Sequence, residues 1–169
     1  MDFDGYGLLL AFHVLFASLW FGAGVYQVAV IGRGLMAAGP AAGGFISALM
    51  RSGGIGRFFA ISGALTIVFG GILYGQGMDK QFPSGFEGRG IWILLGAILA
   101  VAAFIHGLTA NMPTERKLIA LVKQLKGPPT AEQAQQMQAL GMKLGRAGRI
   151  GVAMVGIAMV LMLLGRVFY

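Results

Sequence analysis

Two side chains in the apolar stretches of this chain can both ligate a metal and move a proton near neutral pH, His13 and His106, and they are its only histidines. His13 opens a stripe. His13, Ala17, Trp20, Gly24 and Gln27 follow one another at spacings of four, three, four and three, which places them on one face of a helix. An imidazole, an indole and a carboxamide make a poor surface for lipid, so the stripe is expected to look into a helical bundle. Ionisable groups inside a membrane are costly and mark functional positions, which makes His13 the leading candidate for a haem or metal ligand. The bland alternative is a hydrogen bond to a neighbouring helix, worth about 0.6–2 kcal/mol. His106 lies near the inner end of its apolar stretch, where water and loop groups reach it, and a structural contact is the favoured reading there.

The elements that carry these residues follow from composition. Of the 169 residues 57% are hydrophobic and 11% charged, against roughly a quarter charged in a soluble domain. So few charges cannot cover a surface in water, but they suit one that meets lipid. Crossing the hydrocarbon core takes about 20 mostly apolar residues in a helix. Four stretches meet that length, at about 5–31, 58–76, 90–110 and 150–168. The expected fold is all-α: an integral membrane four-helix bundle forming a single domain over 1–169.

Lysine and arginine orient the bundle. Arg33, Arg51 and Arg57 lie between the first two stretches. Arg116, Lys117, Lys123, Lys126, Lys143, Arg146 and Arg149 lie between the last two, giving ten of the thirteen basic residues on one side. The positive-inside rule puts that side in the cytoplasm. Both termini are then outside, loops 32–57 and 111–149 are cytoplasmic, and the expected location is the inner cell membrane. Trp92, Tyr74, Phe168 and Tyr169 fall at the outer interface, as an aromatic belt does. The net charge of +7 sits in membrane-flanking loops, so nucleic acid is not an expected partner. The acidic start Met1-Asp2-Phe3-Asp4 lacks the basic region of a signal peptide, so the first stretch is expected to be retained.

The long inner loop is expected to form a helical hairpin over about 114–146. Pro113-Thr114-Glu115 reads as a helix start and Gly127-Pro128-Pro129 as its break. Thr130 and Gln133 then match a capping box that opens a second helix running into the fourth span. The shorter inner loop, with Gly39-Pro40 and an apolar run at 45–50, is expected to hold a small interfacial helix.

Twenty-nine glycines are many for this length. Gly96, Ala100, Ala103 and Gly107 share a face of the third span, and Gly63, Gly70, Gly71 and Gly75 mark the second. Small residues let helices approach closely in lipid, and packing is the ordinary reading. The functional one is that Gly70 and Gly71 clear room for a flat ligand beside His13. Depth bears on which residues join it. At 1.5 Å per residue, His13 and His106 differ by ~17 Å along the membrane normal, so they do not pair on one iron. At the level of His13 the expected neighbours are Gly70, Gly71 and Met162, a thioether that can ligate haem. At the level of His106 the first helix offers Gln27, for a polar contact or a second small site.

The run His13-Val14-Leu15-Phe16-Ala17-Ser18-Leu19-Trp20-Phe21-Gly22-Ala23-Gly24 resembles the first helix of small multi-pass bacterial membrane proteins of the CopD-like and HemJ-like kind. There a histidine is followed seven residues on by tryptophan and then by small residues. HemJ-like proteins are linked to haem binding and protoporphyrinogen oxidation, CopD-like domains to copper uptake. The resemblance implies His13 as the haem or metal ligand and Trp20 as a packing residue. The chain departs from the HemJ-like pattern in the third span, where Trp92 is followed by Ile93-Leu94-Leu95-Gly96 and no basic group.

The leading functional expectation is a small membrane protein that binds haem b and passes electrons, alone or as a subunit of a redox complex. Its cofactor residues would be His13, Trp20, Gly70, Gly71 and Met162, with His106 at a further position. The alternatives are a non-catalytic accessory subunit packing in a larger membrane complex or a homo-oligomer, and a porphyrinogen-oxidising or copper-handling protein. The absence of cysteine removes disulfides, iron–sulfur clusters and thiolate sites. All six acids read as terminal or loop residues, which disfavours hydrolysis and proton-coupled transport, since the latter usually relies on an intramembrane carboxylate.

Overall fold

The structure is a computed structural model and describes residues 5–39, 43–52, 54–80, 89–125 and 127–167. Phe168, Tyr169, Pro40 and the first four residues, on which some of the expectations above fall, lie outside these. Helix α1 spans Gly5–Ala38, α2 Gly43–Ser52 and α3 Gly54–Lys80. Helix α4 starts with Arg89–His106 and continues through Met112–Gln124, and α5 spans Ala131–Val167. The described residues are helical almost throughout, and α1, α3, α4 and α5 are long and apolar enough to cross a membrane. The chain therefore reads as a multi-pass membrane protein.

The helices overrun the apolar stretches that define them. The apolar part of α4 belongs to a helix of 35 residues from Gly90 to Gln124, ~52 Å long against a hydrocarbon core of about 30 Å. The expected helix start at Pro113 is corrected: the helix runs straight through it. Pro113 has no N–H to give to the ladder. Immediately before it, Gly107–Asn111 forms a π-helical turn in which Met112 N donates to Gly107 O. That wider turn is the local adjustment by which the helix admits the proline. Helix α1 carries a matching π turn at Gln27–Ile31, closed by Gly32 N donating to Gln27 O.

Packing is strongest in two pairs, α1 on α3 and α4 on α5, with lighter contacts joining the pairs. At their meeting Trp20 of α1, Ala103 of α4 and Val155 of α5 form one buried cluster. Phe104 meets the Trp20 ring edge-on at 6.2 Å and 84°. The hairpin expected at 114–146 is present as the tail of α4 against the start of α5. Leu118 and the fully buried Val122 pack there on Met137 and Leu140, with Ile46 and Leu49 of α2 laid over them. The turn before α5 has the expected capping box: Thr130 N donates to Gln133 Oε1 at 2.9 Å, and Gln133 N to Thr130 Oγ1 at 3.3 Å.

Candidate functional site

Both histidines are held in the same way. His13 Nδ1 donates to the backbone carbonyl of Thr66 on α3 at 2.9 Å, and Gly70 stands four residues further on. His106 Nε2 donates to the carbonyl of Ala147 on α5 at 3.1 Å, again with a glycine, Gly151, four residues on. In a helix the carbonyl of residue i already accepts from the N–H of i+4. A side chain at i+4 stands beside that carbonyl, so glycine there opens it to a second donor. The fit is tightest at Gly70, where a Cβ would lie 2.8 Å from His13 Cε1 and 3.0 Å from Nδ1. The imidazole thus occupies the space that the glycine leaves.

The other expected site residues are distributed differently. Gly71 has nothing within reach of a Cβ. Met162 is engaged on α4, where its Cγ lies 2.7 Å from a Cβ built at Gly96. Trp20 is buried and reaches Gly63 of α3. The structure therefore brings Gly70 to His13, places Gly71 on open space and seats Met162 against Gly96. The notch beside Gly70 is filled by the His13 imidazole.

A cavity does exist, at the other end of the bundle, where the basic loops lie. It measures about 120 Å³ and is partly open. It is bordered by the π turns of both α1 and α4, through Gln27 and Asn111 respectively. Its mostly apolar lining includes the rings of Trp20, Phe21, Phe59 and Phe104, and its polar members are Gln27, Asn111 and Glu115. The histidine stripe of α1 thus reaches it through Trp20, Gly24 and Gln27.

Glu115, which the sequence sets at a helix start in the inner loop, is a buried carboxylate in the structure. It is 9% exposed, within the continuous α4. Its Oε1 accepts from Gly56 N at 3.0 Å. Gly56 belongs to the first turn of α3, whose N–H groups have no partner inside the helix. The negative charge also complements the positive end of the helix dipole. A Cβ at Gly56 would collide with Oε2 of Glu115, so glycine is what lets the carboxylate dock. Asn111, one turn before Glu115 on the same helix face, has its Oδ1 buried without a hydrogen-bond partner among the described residues. The signal available in the sequence was this four-residue spacing of Asn111 and Glu115. The proline between them masked it by suggesting a helix boundary.

Comparison with protein-family models, with curated proteins and with solved structures returns no match to this chain.

Proposed function

We propose that this chain is a non-catalytic accessory subunit of a larger membrane complex, with both termini outside and the α4–α5 hairpin in the cytoplasm. The observation that carries this reading is the use made of the two histidines. Each is tied to a backbone carbonyl of a neighbouring helix over a glycine, so the groups best suited to redox or acid–base chemistry join helices together. The orientation rests on the ten basic residues of the two inner loops.

A second reading is favoured by one feature of His13. With Nδ1 donating to a carbonyl, Nε2 is left with its lone pair and without a hydrogen bond among the described residues. That is how a metal-ligating histidine is commonly oriented. A haem b held from outside the chain's own packing, at a contact with another subunit, could use that nitrogen.

A visible spectrum of the complex, purified from haem-replete membranes in mild detergent, separates the two. The accessory reading expects this chain to migrate with larger subunits on native gels, with no haem absorption lost in His13→Ala. A b-type spectrum that disappears in that variant replaces it with the haem reading. Migration as a lone chain at every detergent concentration overturns it.

A further inference from the structure

The cavity between the π turns combines three features that packing alone does not require. Glu115 keeps Oε2 free of any hydrogen bond among the described residues, while Oε1 holds Gly56 N. Asn111 lines the cavity, and its Oδ1 is buried with no hydrogen-bond partner among the described residues. Gln27 adds a carboxamide on the same wall. A buried acceptor left unpaired costs free energy, so the wall is matched to a ligand rich in donors. Trp20, Phe59 and Phe104 line the same cavity, and aromatic rings attract a cation and shelter an apolar stem.

We infer that this cavity binds a primary ammonium group carried on an apolar stem. A primary ammonium has three N–H donors and one positive charge. Glu115, Asn111 and Gln27 offer three acceptors, one of them charged. The space is sufficient: a single water needs roughly 10–15 Å³, and the cavity has about 120 Å³. It is also well short of the roughly 300–1,000 Å³ of pockets for larger organic ligands, so only the ammonium and a short piece of stem fit inside. A hard divalent ion suits the wall poorly, since such ions take several carboxylates or retain several waters. The two π turns matter because a π turn shifts side chains out of the regular helical register, and here Gln27 and Asn111 stand at the edges of those turns. This site is independent of the accessory role and of any haem at His13.

The test uses the full chain in nanodiscs of phosphatidylcholine. Trp20 lines the cavity, and Trp92→Phe leaves it as the one indole of the chain's two. Titration with hexylammonium is expected to give a saturable change in Trp20 emission. Hexanol, with the same stem and no charge, and potassium, with the charge and no stem, are expected to give none. Glu115→Gln is expected to weaken binding about tenfold or more, as the loss of a charged hydrogen-bond partner does. Because Glu115 also docks the start of α3, Asn111→Leu is the decisive variant. It removes no hydrogen bond that Asn111 makes among the described residues, so thermal stability is kept or raised while hexylammonium binding falls. Equal responses to hexanol and hexylammonium, or unchanged binding in Asn111→Leu, overturn the inference. Adding phosphatidylethanolamine to the nanodiscs identifies the source: competition assigns the ammonium to a lipid headgroup, and its absence assigns it to a soluble amine.

Discussion

Gly70 and Gly151 stand in the same sequence relation to their histidine-bound carbonyls, yet the space at each differs. A Cβ at Gly70 would press on the imidazole at 2.8 Å, whereas one at Gly151 meets His106 Cδ2 at 3.9 Å, an ordinary contact. Gly70→Ala is therefore expected to expel His13 from Thr66 and destabilise the chain by about 1–3 kcal/mol, the usual range for overpacking. Gly151→Ala should be neutral or stabilising, by up to about 1 kcal/mol from helix propensity. Thermal unfolding of the two variants in one detergent reads the contrast, and equal losses would show that the imidazole contact does not set the order. The stripe beginning at His13 was legible because a spacing of four and three residues needs nothing but a helix. That its ring would close on a carbonyl was not, because the acceptor lies 53 residues away on α3 and every helix offers carbonyls alike.

At the scale of elements, local chemistry was readable where it was self-contained. Thr130 and Gln133 satisfy each other's backbone N–H groups within a single turn, so the start of α5 could be read from four residues. Thr130→Ala is expected to cost about 0.5–2 kcal/mol at that end. Hydrogen–deuterium exchange would show faster exchange over residues 131–137 with the membrane-crossing part of α5 unchanged. Pro113 was misleading for a matching reason. Its usual role as a helix boundary assumes a regular ladder, and a π turn three-dimensionally prepared by Gly107–Asn111 lifts that constraint. The consequence spread beyond the boundary itself: with a helix taken to start at Pro113, Glu115 stood at the head of a separate inner-loop helix, and its alignment with Asn111 went unread. Gly56, which makes room for that carboxylate, is no different in sequence from the glycines that merely pack.

Over the whole molecule, the four apolar helices were legible from hydropathy because lipid imposes one requirement on every span. Their pairing, α1 with α3 and α4 with α5, was not, because small residues recur on several faces. The proposed sidedness rests on loop charge and can be tested directly in a chain without native cysteine. Gln135→Cys is expected to react with a membrane-impermeant maleimide only after the membrane is opened, and Gly5→Cys in intact spheroplasts. The opposite pattern overturns the orientation. Helix α4 carries one more implication. Its last segment, Met112–Gln124, has 13 residues and projects ~20 Å beyond the π turn, clasped to α5 and to α2. A rod of that length magnifies small angles: a tilt of ~10° in the embedded portion sweeps the far tip by ~3 Å. A change of tilt in the bundle would therefore displace the far end of Met112–Gln124 sideways, in a segment that begins beside the cavity residue Asn111.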